Sequence, residues 1–264
     1  MKNSKLSVKS FIKQLNSKKY LKNKESILSE GIRIYKEDFN IENVDYIESL
    51  EDTDNKVDNI IAHENLKHLL DSTSSCQISD ALGKLTGRNG VLKDIKSING
   101  KRAYGRVVTS KTNSDDWGTS LLAIDQAKKG NVIFILSSGE SSAIWGELTS
   151  TCSSKKGLAG TVIVGATRDI DLLLGSDYPV FATETVPNAG NPIGLGDVNV
   201  NLRIQEDMVR PGDFVFADNT GVVLIPQELF QEVMIETLKI KISESKIISQ
   251  IKDGKPLSKI IGLR

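Results

Sequence analysis

Apolar and polar residues alternate in two different rhythms along this chain. Short apolar, largely β-branched runs recur at residues 106–109 (RVVT), 132–136 (VIFIL), 161–164 (TVIV), 179–181 (PVF), 214–217 (FVFA) and 222–225 (VVLI). Runs of this length bounded by polar or glycine-containing turns predict strands. Between them, residues 120–129 and 141–154 predict helices, each followed by lysines and a glycine that suit a helix C-terminus. Near the end, Phe230, Met234, Leu238 and Ile242 recur every four residues, and Ile247 and Ile251 continue the apolar side as far as Gly254. That spacing predicts a long amphipathic terminal helix. The stretch 209–226 reads as turn, strand, tight turn and strand, and so predicts a hairpin. Strands alternating with helices place the chain in the α/β class.

Residue usage divides the chain. A single glycine, Gly31, precedes Leu82, whereas all six prolines and the remaining glycines follow it. Residues 1–24 carry eight lysines and no acid, and residues 25–64 carry twelve acids against three bases. Blocks of this kind suit solvated helical faces or arms that pair with each other or with a partner. The predicted organisation is an N-terminal charged, helical extension over residues 1–64 and an α/β domain over 65–264.

Composition then narrows the chemistry. The 34 basic residues balance the 34 acidic ones, which argues against a dedicated nucleic-acid binder. No apolar run approaches the roughly 18 residues of a membrane span. The lysine-rich start lacks a secretory h-region, and two unpaired cysteines agree with a cytoplasmic setting. The only histidines, His63 and His68, lie five apart on different sides of any helix, and Cys76 and Cys152 are far apart. Cys/His zinc sites and HExxH chemistry are therefore excluded. Cys152 is expected to be a core thiol. Catalysis, if present, must use carboxylates, Arg, Lys, backbone amides or a hard metal.

Candidate residues of those types converge in one segment. Trp145-Gly146-Glu147-Leu148-Thr149 is followed, after a helical stretch, by the 161–164 strand and then Gly165-Ala166-Thr167-Arg168-Asp169. Loops at the carboxyl ends of such strands are where α/β proteins usually bind ligands. There Arg168 can grip a carboxylate and Asp169 can ligate a hard divalent ion, although a surface ion pair or an Asp cap is the plainer alternative. Trp117 and Trp145 read as packing residues, with Trp145 placed to wall the site. Gly194-Leu195-Gly196 is too short for a phosphate loop.

Five ordered pieces resemble the RraA-like family, which includes 4-hydroxy-4-methyl-2-oxoglutarate aldolases and regulators of RNase E. They are Ser79-Asp80-Ala81-Leu82, GELTS at 146–150, GLAGTVIVGATRD at 157–169, Tyr178-Pro179-Val180-Phe181-Ala182 and PGDFVFADNTGVVLIP at 211–226. Twenty residues separate Glu147 from Arg168, as in that family's acidic-x20-Arg-Asp signature. The resemblance implies a three-layer β/β/α swivelling-type domain, assembled as a homotrimer or hexamer with sites between subunits. It implies Mg²⁺ or Mn²⁺ held by Asp169 directly and by Glu147 through water. It also implies a 2-oxo acid substrate whose keto oxygen faces Arg168 and whose carboxylate meets backbone amides at Gly146, Leu148 and Thr149. Asp80 of an adjacent subunit would assist a proton-shuttling water, with Glu244 as a further candidate.

The expected activity is retro-aldol cleavage of a 4-hydroxy-2-oxo acid or decarboxylation of oxaloacetate. A regulatory binding protein resembling the RNase E inhibitors is the alternative, favoured by the charged extension. Two departures concern specificity. Val164-Gly165 replaces the family's Asp-Gly, and residues 183–202, where family aldolases bring up a base, contain neither Lys nor Arg.

Overall fold

The computed structural model describes residues 64–139 and 142–263. Residues 1–63 of the predicted extension, His63 among them, lie outside the described residues, and its last residue, Glu64, opens the first described helix. The described chain opens with helices α1 (Glu64–Ser72) and α2 (Ser75–Thr86), then short strands β1 (Val91–Leu92) and β2 (Lys96–Ser97). Next come β3 (Ala103–Asn113), α3 (Gly118–Gln126), β4 (Val132–Ser138), β5 (Ala143–Trp145), α4 (Glu147–Lys156) and β6 (Gly160–Thr167). They are followed by α5 (Ile170–Leu174), β7 (Val180–Thr185), β8 (Asp197–Val198), β9 (Leu202–Ile204) and β10 (Asp207–Val209). The hairpin β11 (Phe214–Asp218) and β12 (Gly221–Ile225) leads to the long helix α6 (Phe230–Lys252) and the short α7 (Leu257–Ile260).

Ten strands form one sheet in the order β1-β12-β11-β3-β4-β6-β7-β2, with β5 beside β6 and β8 beside β3. The long strand β3 makes the fold. Its first residues pair antiparallel with β11, and from Val107 onward it pairs parallel with β4. The sheet thus has an antiparallel half and a parallel half sharing one strand.

The period of two along each strand sorts side chains into three cores. Val215, Ala217, Val222 and Leu224 of the hairpin meet Val132, Phe134 and Val162 of the parallel half in one apolar core. Their neighbours Ile133, Ile135 and Ile163 face the other way, onto Ala123 and Ile124 of α3 and Leu173 of α5. The intervening hairpin residues Phe214, Phe216, Val223 and Ile225 are covered by α1, α2 and α6. The β/β/α core is therefore the expected one, with a further helical cover on the outer face of the hairpin. The predicted terminal helix forms, and its Phe230, Met234 and Leu238 are buried as the spacing requires.

The segment 141–154 is not one helix. Ala143, Ile144 and Trp145 form the parallel neighbour of β6, and a helix begins only at Glu147. All three residues are buried. Three consecutive buried positions exceed one helical face, whereas a strand covered on both sides accommodates them. The expectation for Cys152 also fails: α4 buries Thr149, Ser150 and Ser153, and Cys152 lies exposed beside that narrow face. Among the described residues no helix is long and apolar enough to cross a membrane.

Candidate active site

The parallel half places the ends of β5 and β6 side by side, and the residues that follow both strands form the site. The Trp145 carbonyl accepts from the Arg168 N–H at 3.0 Å and from the Thr167 hydroxyl at 3.1 Å. Trp145 is itself immobilised, being 2% exposed with its indole N–H donating to the Ser150 hydroxyl at 2.8 Å. The β6–β7 register shifts between Ile163 and Ala166, where Gly165 adopts φ 150°. A bulge of this kind bends a strand end and re-aims the side chains beyond it.

Asp169 links the two turns. Its Oδ1 accepts from Arg168 Nε at 3.0 Å, and its Oδ2 accepts from the Glu147 N–H at 3.0 Å. Its backbone is left-handed, φ 60° and ψ 39°, a conformation that Asp tolerates better than most residues. Partial burial pushes this carboxyl up, but the Glu147 N–H and the Arg168 guanidinium outweigh it and hold it below the usual carboxylate range. Asp169 is thus ionised at neutral pH.

Gly146 permits this approach. A Cβ there would lie 2.5 Å from Asp169 Oδ2 and 3.0 Å from Arg168 Cγ, so a side chain would separate the turns. The Thr149 hydroxyl accepts from the Gly146 N–H at 3.0 Å and donates to the Gly146 carbonyl at 2.9 Å, closing the start of α4. The first-turn amides of Leu148 and Thr149 are free of intrahelical partners by helix geometry, and they add partial positive charge at the cleft.

A cleft of about 380 Å³ gathers these groups. It is lined by Gly146, Glu147, Leu148, Thr149, Arg168 and Asp169, and by an apolar remainder of Trp117, Ala143, Ile144, Trp145 and Ala189. Six of the seven predicted site residues therefore meet. Asp80 does not line the cleft of its own chain; it is exposed on α2, whose other face packs on the hairpin. Gln77, one turn earlier, donates to Glu244 at 2.5 Å, so both further acidic candidates lie along the α2–α6 flank.

Sequence reasoning missed Trp117 and Ala189 as walls, and missed what binds the glycine-rich loop between β7 and β8. Asp116, 2% exposed, accepts from the N–H groups of Ile193 (3.1 Å), Gly194 (2.7 Å) and Leu195 (2.9 Å). The loop 193–195 is an anion cradle filled by the protein's own carboxylate. Adjacent acids at 115–116 before a tryptophan were the available signal, but the loop that answers them lies more than seventy residues away.

A family model described as RraA-like (Aldolase/RraA) matches residues 75–224. An uncharacterized protein of Methanocaldococcus jannaschii is 36% identical over 176 residues, covering 65% of this chain and 85% of the relative. A protein of Halalkalibacterium halodurans, provisionally named as a 4-hydroxy-4-methyl-2-oxoglutarate aldolase, is 31% identical over 163 residues, covering 61% and 77%. The solved RNA-processing inhibitor RraA of Thermus thermophilis superposes with TM-score 0.52 at 28% identity, covering 56% of this chain and 92% of that one. With the shared-strand sheet, the Asp169 link between α4 and the β6 turn, and a matching model over more than half its length, this chain belongs to the RraA-like family.

Proposed function

We propose that the protein is a divalent-metal-dependent carbon–carbon lyase acting on a short 2-oxo acid, by retro-aldol cleavage of a 4-hydroxy-2-oxo acid or decarboxylation of oxaloacetate. The observation that carries this reading is Asp169, whose two oxygens join a guanidinium to the N-terminus of α4 in one cleft. The aldolase name of the Halalkalibacterium halodurans relative agrees with it.

The residues present suit Mg²⁺ or Mn²⁺. Each Asp169 oxygen spends one lone pair on its hydrogen bond and retains another, and the exposed Glu147 lines the same cleft. Among the described residues no three His, Cys, Asp or Glu side chains gather. One or two carboxylates, completed by water and substrate oxygens, is the usual protein share of a Mg²⁺ site. Asp169 would hold the ion directly and Glu147 through water. When bound, the ion supplies positive charge beside the carboxylate and keto oxygens of the substrate.

The remaining chemistry belongs to the chain. The amides of Leu148 and Thr149 hold the substrate carboxylate at the positive end of α4. Arg168 spends one of its five donors on Asp169 and presents others to the keto oxygen, fixed in direction by that tether. In the retro-aldol step the C4 hydroxyl loses its proton and becomes a carbonyl while the C3–C4 bond breaks. The bond's electron pair forms the enolate of pyruvate, whose oxygen faces Arg168, and protonation at C3 completes pyruvate. Donors fixed where charge develops lower such barriers most. Asp80 of a neighbouring subunit, in a homotrimer or hexamer, is the proposed acidic residue that relays the proton through water.

The test is pyruvate release from oxaloacetate and from 4-hydroxy-2-oxo acids, with and without Mg²⁺ or Mn²⁺. Metal-dependent release on any of them supports the lyase, and none on the whole panel rejects it. That rejection would favour the second reading, a regulatory binding protein, which rests on the likeness to the RNA-processing inhibitor RraA.

Gly146→Ala gives an internal check. At φ −172° alanine is conformationally acceptable, so the fold should persist, but the added methyl displaces the Asp169 carboxylate. A displacement near 1 Å is expected to lower kcat/KM about 10²-fold with little change in Tm. Steady-state kinetics beside a thermal melt would show it.

A further inference from the structure

The apolar lining of the cleft is tied to a buried carboxylate, Asp116, that does not itself line it. The Asp116 carboxylate is met from two sides. Its Oδ1 accepts from the N–H groups of Ile193 and Gly194, and also from Thr119 N–H at 3.3 Å. Its Oδ2 accepts from Leu195 N–H, the Thr119 hydroxyl at 2.6 Å and the Thr112 hydroxyl at 3.3 Å. The loop turns its amides inward and its side chains outward, with Ile193 50% and Leu195 85% exposed. Hydrogen bonds from N–H groups to an ionised, desolvated carboxylate are among the stronger in proteins.

The same loop carries the wall. The Trp117 indole donates to the Gly190 carbonyl at 3.1 Å, and the Trp117 N–H donates to the Asn191 carbonyl at 3.0 Å. The Ala143 N–H donates to the Asn188 carbonyl at 2.9 Å, so Ala189 is held against β5. Backbones approach closely as well: a Cβ on Gly118 would lie 2.7 Å from Gly194 N, and one on Gly190 2.4 Å from the Asp115 carbonyl. Trp117, Ala143, Ile144 and Ala189 thus supply apolar lining to the same cleft as Glu147, Arg168 and Asp169, with Trp117 and Ala189 joined through the loop.

We propose that Asp116 is a positioning residue that fixes this wall, and that the wall selects 2-oxo acids whose distal group is small and uncharged over those ending in a second carboxylate, so that of the two reactions proposed above it favours retro-aldol cleavage over decarboxylation of oxaloacetate. The proposal deepens the lyase reading and rests on it for the orientation of the substrate, with its 2-oxo-acid head at Arg168 and its tail against the wall. Desolvating a carboxylate against indole and methyl groups is costly, whereas a methyl or ethyl tail gains from the same contact. Asp116 touches no substrate. It acts through the amides of 193–195 and thereby through Gly190, Ala189 and the Trp117 ring.

The experiment uses the full-length protein and two variants. Asp116→Asn keeps the side-chain size but turns an NH₂ toward amide donors, and Gly118→Ala pushes on the loop without altering the carboxylate. Calorimetry with Mg²⁺ would compare 2-oxopentanoate with 2-oxoglutarate, and oxalate would probe the head alone. Kinetics would compare 4-hydroxy-2-oxopentanoate with 4-hydroxy-2-oxoglutarate. The wild type should favour the uncharged tail by about tenfold or more, and both variants should bring that ratio near one through KM, leaving kcat and oxalate affinity within about threefold. In the metal-free protein, Asp116→Asn should also shift tryptophan emission to longer wavelength as Trp117 leaves the Gly190 carbonyl.

A wild type that prefers the dicarboxylic ligands overturns the proposal, and so does an unchanged ratio in a folded variant. Should Asp116→Asn not fold, Gly118→Ala decides. If no substrate yields pyruvate, the lyase reading fails by itself, and the binding ratio of the two unreactive 2-oxo acids still judges the wall.

Discussion

Arg168→Ala is expected to lower kcat for pyruvate formation by about 10²–10³-fold while leaving the melting temperature within a few degrees of the parent. In the proposed mechanism the guanidinium is the donor aimed at the oxygen on which negative charge develops, so its loss would fall on the chemical step. Its structural share is small: the side chain is 41% exposed, and its ion pair is with its sequence neighbour, Asp169. Exposed pairs of this kind contribute little to stability. The backbone N–H of residue 168, which anchors the turn to Trp145, survives the substitution. Arg168→Lys should recover only part of the rate, because a point charge lacks the Nε–Asp169 tether that sets direction. Parental kcat in a folded Arg168→Ala protein would refute the role.

Trp145→Ala should have the largest effect on stability, about 3–5 kcal/mol by chemical denaturation. The indole is among the largest fully buried side chains, packed with Ile144, Ile163 and Leu173 between β5, β6 and α5. Its removal opens a cavity and strands the Ser150 hydroxyl that receives its N–H. Trp145→Phe keeps most of the apolar volume and loses that hydrogen bond, so a cost nearer 1–2 kcal/mol is expected. Because the buried indole holds in place the strand end whose backbone carbonyl anchors Arg168 and Thr167, activity in the alanine variant should fall further than the folded fraction accounts for. Denaturation curves paired with turnover per folded molecule separate the two effects. An alanine variant as stable as the parent would show that β5 is not the support of the site.

These two positions illustrate how legible the chain was. Arg168 and Asp169 followed from a β-branched run ending in Gly-Ala-Thr-Arg-Asp, because a buried strand must deliver its next polar residues to one end of the sheet. Glu147, Gly146 and Thr149 followed from the family signature, and the geometry supplied a reason for the glycine that the motif alone lacks. Trp145 was placed on a helix and lies on a strand. A three-residue apolar run has no period long enough to distinguish the two, and only its parallel pairing with β6 decides.

Local pattern was sufficient wherever a segment answers to its own periodicity: the six strands, the hairpin and the terminal helix. Folding was needed wherever a residue's role depends on a partner distant in sequence. Asp116 reads as one acid among 34, yet it is a buried carboxylate ringed by amides from 193–195, and the exposed face of α4 makes Cys152 a surface thiol. A strand's hydrogen bonds and a helix's apolar side are set by neighbours within a few residues, whereas the closing of a loop on a carboxylate is set by the sheet that carries both.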